Sequence, residues 1–180
     1  MNNLEFYNSL TELEKGIVDF YKLREYLFYT GTPKEILEIG SGWGIFTRIC
    51  MMLSDSCRVT TIDKIPEPNS FEKNTAGFES RIKKITGDSK EVVPTFKENQ
   101  FDLVFVDGDH GYDGFRADFI NAWRVVKNGA YIICDDVLHE KNFEDDYGII
   151  HALSELYKQY NFSFTVYPVA HGIAIIKVIK

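Results

Sequence analysis

The 180-residue sequence lacks any apolar stretch long enough to cross a membrane, and it lacks an excess of basic residues. Its net charge of −7 argues against nucleic acid as the main partner, because binding a phosphate backbone requires a basic face. The first residues, Met1–Glu5, lack the basic-then-apolar pattern of a secretion signal. These absences predict a cytoplasmic protein that binds neither nucleic acid nor a membrane.

Cysteine is also scarce. The three cysteines, Cys50, Cys57 and Cys134, are odd in number and lie in apolar or strand-like contexts. They are expected to be reduced thiols of the core, and neither a disulfide framework nor a metal site is expected from them. Internal repeats, linkers and low-complexity tracts are absent as well. The length and the 44% apolar content predict one domain, residues 1–180, with a full hydrophobic core.

Helical spacing of apolar residues predicts an N-terminal helical cap over residues 1–30, and strands alternate with helices after it. In the helix after the fourth strand, Asp113 is expected as the cap, and the segment 127–129 is expected to end the helix. Several of the predicted strands are near-continuous apolar runs, which is typical of parallel strands covered on both faces. A short loop, Pro168–Gly172, joins the last two strands and permits an antiparallel hairpin. The predicted fold is an α/β core over residues 34–180, a doubly wound and mostly parallel seven-stranded sheet with a C-terminal antiparallel hairpin. The predicted strands are Glu35–Ile39, Arg58–Asp63, Lys83–Thr86, Phe101–Asp107, Ala130–Cys134, Phe162–Tyr167 and Ile173–Ile179.

The most informative segment, Glu38–Gly44, joins the first predicted strand to a helix that starts near Ile45. Three glycines spaced by two allow a sharp turn and a close approach of the backbone to a ligand. A dinucleotide fingerprint would need its last glycine where Ile45 stands, and Glu38 would repel a pyrophosphate. An NAD-dependent oxidoreductase is therefore disfavoured. The candidate cofactor-binding residues of this segment are Glu38, Gly40, Ser41, Gly42, Trp43 and Gly44.

The pattern Glu-x-Gly-x-Gly-x-Gly resembles the first motif of the class I S-adenosylmethionine-dependent methyltransferases, whose cofactor carries an ammonium and a sulfonium. Asp63 ends the second strand about twenty residues after the glycines, where an acidic residue can accept hydrogen bonds from ribose hydroxyls. Asp88 and Ser89 follow the third strand, and the resemblance implies a contact with the adenine. Lys64, next to Asp63, is a further candidate for contact with S-adenosylmethionine.

Carboxylates also follow the fourth and fifth strands, as Asp107 and as the pair Asp135 and Asp136. Ligands of open α/β sheets bind at these strand ends. Three ionised carboxylates share a small site only when a cation compensates their charge, and oxygen ligands favour Mg²⁺ or Ca²⁺. The alternative, that these residues are loop caps and solvated charges, is equally consistent with the spacing.

The segment Phe101–Asp136 is similar to the metal-dependent small-molecule O-methyltransferases of the catechol type and to related sugar and macrolide enzymes. The resemblance implies a divalent ion, Mg²⁺ or else Ca²⁺ or Mn²⁺, on Asp107, Asp135 and Asp136. It also implies a contact of Asp107 with the cofactor. The catechol type has a lysine as general base three residues after the first ligand. His110 stands there, and imidazole is a competent base near neutral pH.

The expected activity is therefore S-adenosylmethionine-dependent methylation of a hydroxyl group on a small molecule, with His110 and Asp107 as catalytic residues. The alternative is a non-catalytic or regulatory domain that binds S-adenosylmethionine. A nucleic-acid amino-methyltransferase is disfavoured, because no Asn/Asp-Pro-Pro-aromatic motif follows the fourth strand. Residues 1–30, Val137–Gly148 and Pro168–Gly172 are expected to surround the acceptor, and a homodimer would cover a cleft left open by the short N-terminal part.

Overall fold

The structure is a computed structural model, and it describes residues 33–65, 68–143, 147–168 and 171–180. The predicted N-terminal helical cap, residues 1–30, lies outside the described residues. So do residues 144–146 and 169–170, which belong to two of the loops expected around the acceptor.

Strands and helices alternate along the described chain, as the apolar pattern predicts. The elements are β1 (Glu35–Ile39), α1 (Ile45–Leu53), β2 (Arg58–Asp63), α2 (Pro68–Thr75), β3 (Ile82–Thr86), α3 (Ser89–Val92), β4 (Phe101–Val106), α4 (Tyr112–Val125), β5 (Val126–Cys134), α5 (Ile149–Gln159), β6 (Phe162–Tyr167) and β7 (Ile173–Val178). The seven strands form one sheet in the order β3-β2-β1-β4-β5-β7-β6. The first five are parallel, and β7 is antiparallel to both β5 and β6, so the predicted fold class is confirmed.

Both faces of the sheet are covered by helices. Alternate residues of the central strands point to opposite faces, so each strand contributes to two hydrophobic clusters. On one face, Leu37 and Val104 pack in a cluster that includes Phe119 of α4 and Leu156 of α5. On the other face, residues such as Ile36, Leu103 and Phe105 pack against α1. The three cysteines are free and buried, as predicted. Among the described residues, no helix is long and apolar enough to cross a membrane.

Two local predictions around α4 are wrong. Asp113 was expected to cap this helix, but the cap position is Gly111, and Asp113 lies in the first helical turn. The helix was also expected to end at residues 127–129, whereas β5 begins directly at Val126. Pairing of Val126 with Phe101 of β4, followed by a register shift, extends the strand backwards through the polar segment 127–129. The next pair is Leu103 with Tyr131, and Gly129 adopts φ +77° between the two pairs, so the turn signal appears as a bulge inside β5.

The parallel ladders continue one residue past the strands, which aligns the residues that follow them. The amide of Gly40 donates to the Ile62 carbonyl at 2.9 Å, and the amide of Asp107 donates to the Ile39 carbonyl at 2.8 Å. The amide of Asp135 likewise donates to the carbonyl of Val106 at 3.1 Å. The glycine segment and the two carboxylate segments therefore meet at one edge of the sheet, as the strand order predicts.

Candidate active site

Gly40 is where the chain from β1 passes closest to the residue that follows β4. Its φ is +91°, and a Cβ atom at this position would lie 1.9 Å from the carbonyl oxygen of Asp107. No side chain fits there, so a glycine is required by contact as well as by conformation. Gly40 and Asp107 therefore lie against each other.

Asp63 holds the glycine segment in place. Its Oδ2 accepts hydrogen bonds from the amide of Ser41 at 2.9 Å, the hydroxyl of Ser41 at 3.1 Å and the amide of Gly42 at 3.0 Å. Its Oδ1 accepts the amide of Ile65 at 2.9 Å. A carboxylate oxygen has about two acceptor positions, so Oδ1, which accepts one hydrogen bond, has one position left for a ligand. Contact with two ribose hydroxyls requires that Asp63 release one of these groups.

A cavity of about 370 Å³ opens beside this segment, within the size range of small-molecule sites. Six of the predicted cofactor residues line it: Gly40, Gly42, Asp63, Lys64, Ser89 and Asp107. Residues that were not predicted complete the wall: Ile39, Ile62, Ile65, Gly87, Lys90, Gly108 and Asp109. All of the residues that line the cavity end, or closely follow, one of the first four strands.

The other predicted cofactor residues do not line the cavity. The Asp88 side chain caps α3 by accepting the amide of Lys90, and it pairs with Lys64 at 3.0 Å. The hydrogen bond from Lys64 lowers the pKa of Asp88. Trp43 is half-buried, and its carbonyl accepts a hydrogen bond from the Asn74 side chain at 2.9 Å. Ser41 and Gly44 are likewise buried parts of the turn.

Glu38 does not line the cavity. Its side chain points to the α1 face of the sheet, is 1% exposed and accepts a hydrogen bond from the Thr47 hydroxyl at 2.5 Å. Burial raises the pKa of Glu38 to about 8, although the hydroxyls of Thr47 and Thr61 favour the charged form. Through its hydrogen bond with Thr47, Glu38 connects β1 to α1 beside the glycine segment.

We expect Glu38→Gln to change how stability depends on pH. The folded-state pKa of about 8 lies above the ordinary value of 4.5, so the folded protein retains a proton that the unfolded chain loses. The stabilisation is complete below pH 4.5 and is lost as the pH rises to about 8. Urea unfolding should show wild type losing roughly 5 kcal/mol relative to Glu38→Gln across this window. Exposed Glu98→Gln is the control; parallel pH curves for wild type and Glu38→Gln would contradict the burial of a protonated carboxyl.

A second group of side chains adjoins the cavity at Asp107. Ligand atoms of Asp107, His110 and Asp136 all lie within 4.8 Å of one another. His110 Nε2 is 3.6 Å from Asp107 Oδ1 and 3.2 Å from Asp136 Oδ2. This nitrogen is buried and makes no hydrogen bond of good geometry with any described residue. Asp107 therefore belongs both to the cavity wall and to the acidic group.

The electrostatics of this group favour a cation. The carboxylates of Asp107 and, next, Asp136 raise the pKa of His110 to about 10, against the opposing effect of burial. Desolvation raises the pKa of Asp107, and the neighbouring imidazole only partly offsets it. In this structure the positive charge between the two carboxylates is carried by the protonated imidazole of His110.

The structure separates the two adjacent carboxylates that follow β5. Asp136 adopts φ +58°, a left-handed conformation that Asp tolerates better than most residues, and its carboxylate reaches the acidic group. Asp135 is not part of that group of three, and its Oδ1 accepts the amide of Asp136 at 2.9 Å. Burial and the charge of Asp107 raise the pKa of Asp135 well above its usual range.

Two supporting residues were not predicted from the sequence. Asn142 donates a hydrogen bond from Nδ2 to the Asp136 carbonyl at 2.7 Å, and its Oδ1 accepts the amide of Ile149 at the start of α5. The ring of Tyr147 stacks on His110, with centroids 4.7 Å apart and planes 12° apart. Asn142 thus fixes the unusual turn at Asp136, and Tyr147 orients the imidazole. The only sequence signal for either was its place in the loop expected around the acceptor.

The donor set fits a divalent cation. The carboxylates of Asp107 and Asp136 supply oxygen ligands for Mg²⁺, Ca²⁺ or Mn²⁺, and the imidazole beside them supplies a nitrogen that Mn²⁺ accepts readily. The raised pKa of His110 agrees with this, because it shows that the two carboxylates together favour a positive charge between them.

Comparison with known proteins agrees with the fold. A protein-family model described as "Methyltransferase domain" matches residues 37–137, which include the glycine segment, Asp63, Asp107, His110 and both aspartates after β5. The crystal structure of the O-methyltransferase TomG from Streptomyces achromogenes, in complex with SAM, is similar with a TM-score of 0.72. The two sequences are 17% identical, and the similarity covers 96% of this chain and 82% of TomG, which supports the fold.

Two curated relatives are similar in sequence. Catechol O-methyltransferase B of Danio rerio is 28% identical over 116 residues, which are 59% of this chain and 43% of the relative. Catechol O-methyltransferase of Mycobacterium tuberculosis is 28% identical over 109 residues, or 58% of this chain and 49% of the relative. The chain thus spans about half the length of the curated relatives that it matches.

Proposed function

Because this chain belongs to the methyltransferase domain family, we propose that it transfers a methyl group from S-adenosylmethionine to a hydroxyl group of a small molecule. The observation that carries this proposal is the position of Asp107. It lines the cavity beside the glycine segment and also belongs to the group with His110 and Asp136. A methyl donor and an acceptor must meet at such a point, because in-line transfer demands close alignment of the two reacting atoms.

The cavity suits the charge of the proposed cofactor. Asp63 and Asp107 place carboxylates on its wall, and these attract the ammonium and sulfonium groups of S-adenosylmethionine. The two lysines of the wall, Lys64 and Lys90, are paired with Asp88 and Asp109. Gly40 and Gly42 bring the backbone close to the ligand without side chains. On this proposal Asp63 contacts the ribose through Oδ1, and Ser89 and Lys64 lie toward the adenine. Glu38 acts indirectly, by fixing β1 to α1.

We expect Asp107 and Asp136 to hold a divalent ion, of which Mg²⁺ is the first candidate. When bound, the ion supplies Lewis-acid stabilisation of the acceptor alkoxide, and it offsets the two carboxylates that otherwise keep His110 protonated. The role of Asp135 as the third ligand stays a prediction. Its Oδ1 accepts the Asp136 amide, so the ligand atom would be Oδ2. His110 Nε2 is the atom placed to take the proton of the acceptor hydroxyl, and Tyr147 holds its ring in orientation.

The acceptor class rests on the surroundings of His110. Tyr147, His139 and His171 form a row of rings next to it, with centroid distances of 4.9 Å between Tyr147 and His139 and 4.3 Å between the two histidines. Such rings offer flat contacts and polar edges, which suit a catechol or a glycoside. We also infer that residues 1–180 form one methyltransferase domain. The homodimer stays a prediction.

The proposed activity predicts methyl transfer that depends on a divalent ion. The protein, incubated with S-adenosylmethionine labelled in the methyl group and a panel of catechols, sugars and glycosides, should label at least one acceptor when Mg²⁺ or Mn²⁺ is present. Excess EDTA should remove the activity, and added Mg²⁺ should restore it. Full activity in EDTA would contradict the role of the ion. Binding of S-adenosylhomocysteine without transfer to any acceptor would instead favour a regulatory domain.

A further inference from the structure

Helix α4 carries a carboxylate inside its buried face. Asp118 is 1% exposed, and it lies among the buried residues Phe115, Phe119 and Ala122 of the same helix. Burying a carboxylate costs free energy unless partners compensate for the lost water. The mechanism proposed above does not use this group.

The partners of Asp118 belong to two different loops. The Ser89 hydroxyl, directly after β3, donates a hydrogen bond to Asp118 Oδ1 at 2.5 Å. The backbone amide of Asp109, after β4, also favours the charged form. Burial outweighs both interactions and raises the pKa of Asp118. Its Oδ2 has no hydrogen-bond partner among the described residues, and it packs so closely on Gly108 that a Cβ there would lie 3.0 Å away.

These two loops are far apart in the sheet. β3 and β4 are separated by β2 and β1, so no strand pairing connects Gly87–Ser89 with Gly108–Asp109. Both loops nevertheless line the same cavity. Asp118 contacts both loops from the α4 side. It is a buried link between the two walls, in addition to the exposed pair of Lys90 and Asp109, whose charged atoms lie 3.7 Å apart.

We propose that Asp118 is a positioning residue for the cofactor, whose carboxylate fixes the distance between the Ser89 wall and the Gly108–Asp109 wall of the cavity. The inference rests on the proposed function, since it assumes that this cavity binds S-adenosylmethionine. The inference rests on the two contacts of the carboxylate. Oδ1 accepts the Ser89 hydroxyl at 2.5 Å, and Oδ2 packs against Gly108.

The test separates cofactor affinity from stability. In Asp118→Leu, S-adenosylhomocysteine affinity measured by calorimetry should fall about 10- to 50-fold, because both loops lose their common partner. The urea midpoint should stay equal or rise, because an unsatisfied buried carboxylate has been replaced by an apolar side chain. Asp118→Asn keeps an acceptor for Ser89 and should bind within about 3-fold of wild type. Asp113→Asn, an exposed position on the same helix, is the matched control.

Ser89→Ala tests the same link from the other side. It should weaken S-adenosylhomocysteine about 3- to 10-fold at an unchanged urea midpoint. Because Ser89 also lines the cavity, the link is measured in the double variant with Asp118→Leu, whose affinity loss should be smaller than the product of the two single losses. Wild-type affinity in both Asp118→Leu and Ser89→Ala would overturn the inference and leave the proposed function intact. An affinity loss in Asp118→Leu that merely follows a lowered urea midpoint would overturn it too. Wild-type protein that binds no S-adenosylhomocysteine would overturn the proposed function and this inference together.

Discussion

Gly42→Arg is expected to abolish S-adenosylhomocysteine binding, with an affinity loss of more than about 100-fold. Gly42 is exposed, lines the cavity and has φ +42°, and no heavy atom would lie within 4 Å of a Cβ there. The backbone therefore accommodates a side chain with only the cost of a left-handed conformation, roughly 1–2 kcal/mol. An arginine occupies the ligand space and adds a positive charge facing the ammonium group of S-adenosylhomocysteine. Calorimetric titration measures the loss.

Two variants separate cavity filling from backbone strain. Gly42→Ala imposes the same left-handed conformation with a single added carbon, so its affinity should fall only a few-fold. Gly77→Arg, at φ +88° and also with open space around a Cβ, places an arginine on a turn that does not line the cavity. It should bind S-adenosylhomocysteine as wild type does. Equal affinity of Gly42→Arg and wild type would refute the assignment of the cofactor to this cavity.

The strand ends were predictable because their signal is local and ordered. The glycine segment, Asp63 and Asp107 each follow an apolar run, and a parallel sheet brings such ends to one edge whatever the loops do. The sequence therefore predicted six residues of the cavity wall. The orientation of the Glu38 side chain was harder to predict. Successive side chains of a strand point to opposite faces of the sheet, so a shift of one residue in β1 decides which face Glu38 occupies.

Side-chain directions within the turns were not predictable. Asp135 and Asp136 are identical neighbours, and only the left-handed φ of Asp136, held by Asn142, decides which of them reaches His110. The role of Asp118 was missed for a different reason. It falls on the apolar stripe of α4, four residues after Gly114, and a carboxylate in such a stripe was a signal that went unused. Its partners on two distant loops depend on the tertiary fold.

Asp136→Gly is expected to remove the divalent ion and to spare the cofactor. Glycine adopts φ +58° freely, and the Asn142 hydrogen bond to the carbonyl of residue 136 involves no side chain of that residue. The variant thus deletes a carboxylate with little change to the turn. Mn²⁺ binding followed by electron paramagnetic resonance should be lost, and methyl transfer to an acceptor from the panel should fall by roughly 100-fold or more. S-adenosylhomocysteine affinity should stay within about 3-fold, since Asp136 does not line the cavity.

His110→Gln separates the base from the ligands in the same assays. If His110 takes the proton of the acceptor, this variant binds Mn²⁺ like wild type, whereas its turnover falls about 10²- to 10⁴-fold. Loss of Mn²⁺ in both variants would make the imidazole a ligand and move the base elsewhere. Asn99→Gly, at the other non-glycine residue with positive φ among those described, controls for the glycine substitution. Wild-type Mn²⁺ affinity in Asp136→Gly would show that the Asp136 carboxylate is not a ligand of the ion.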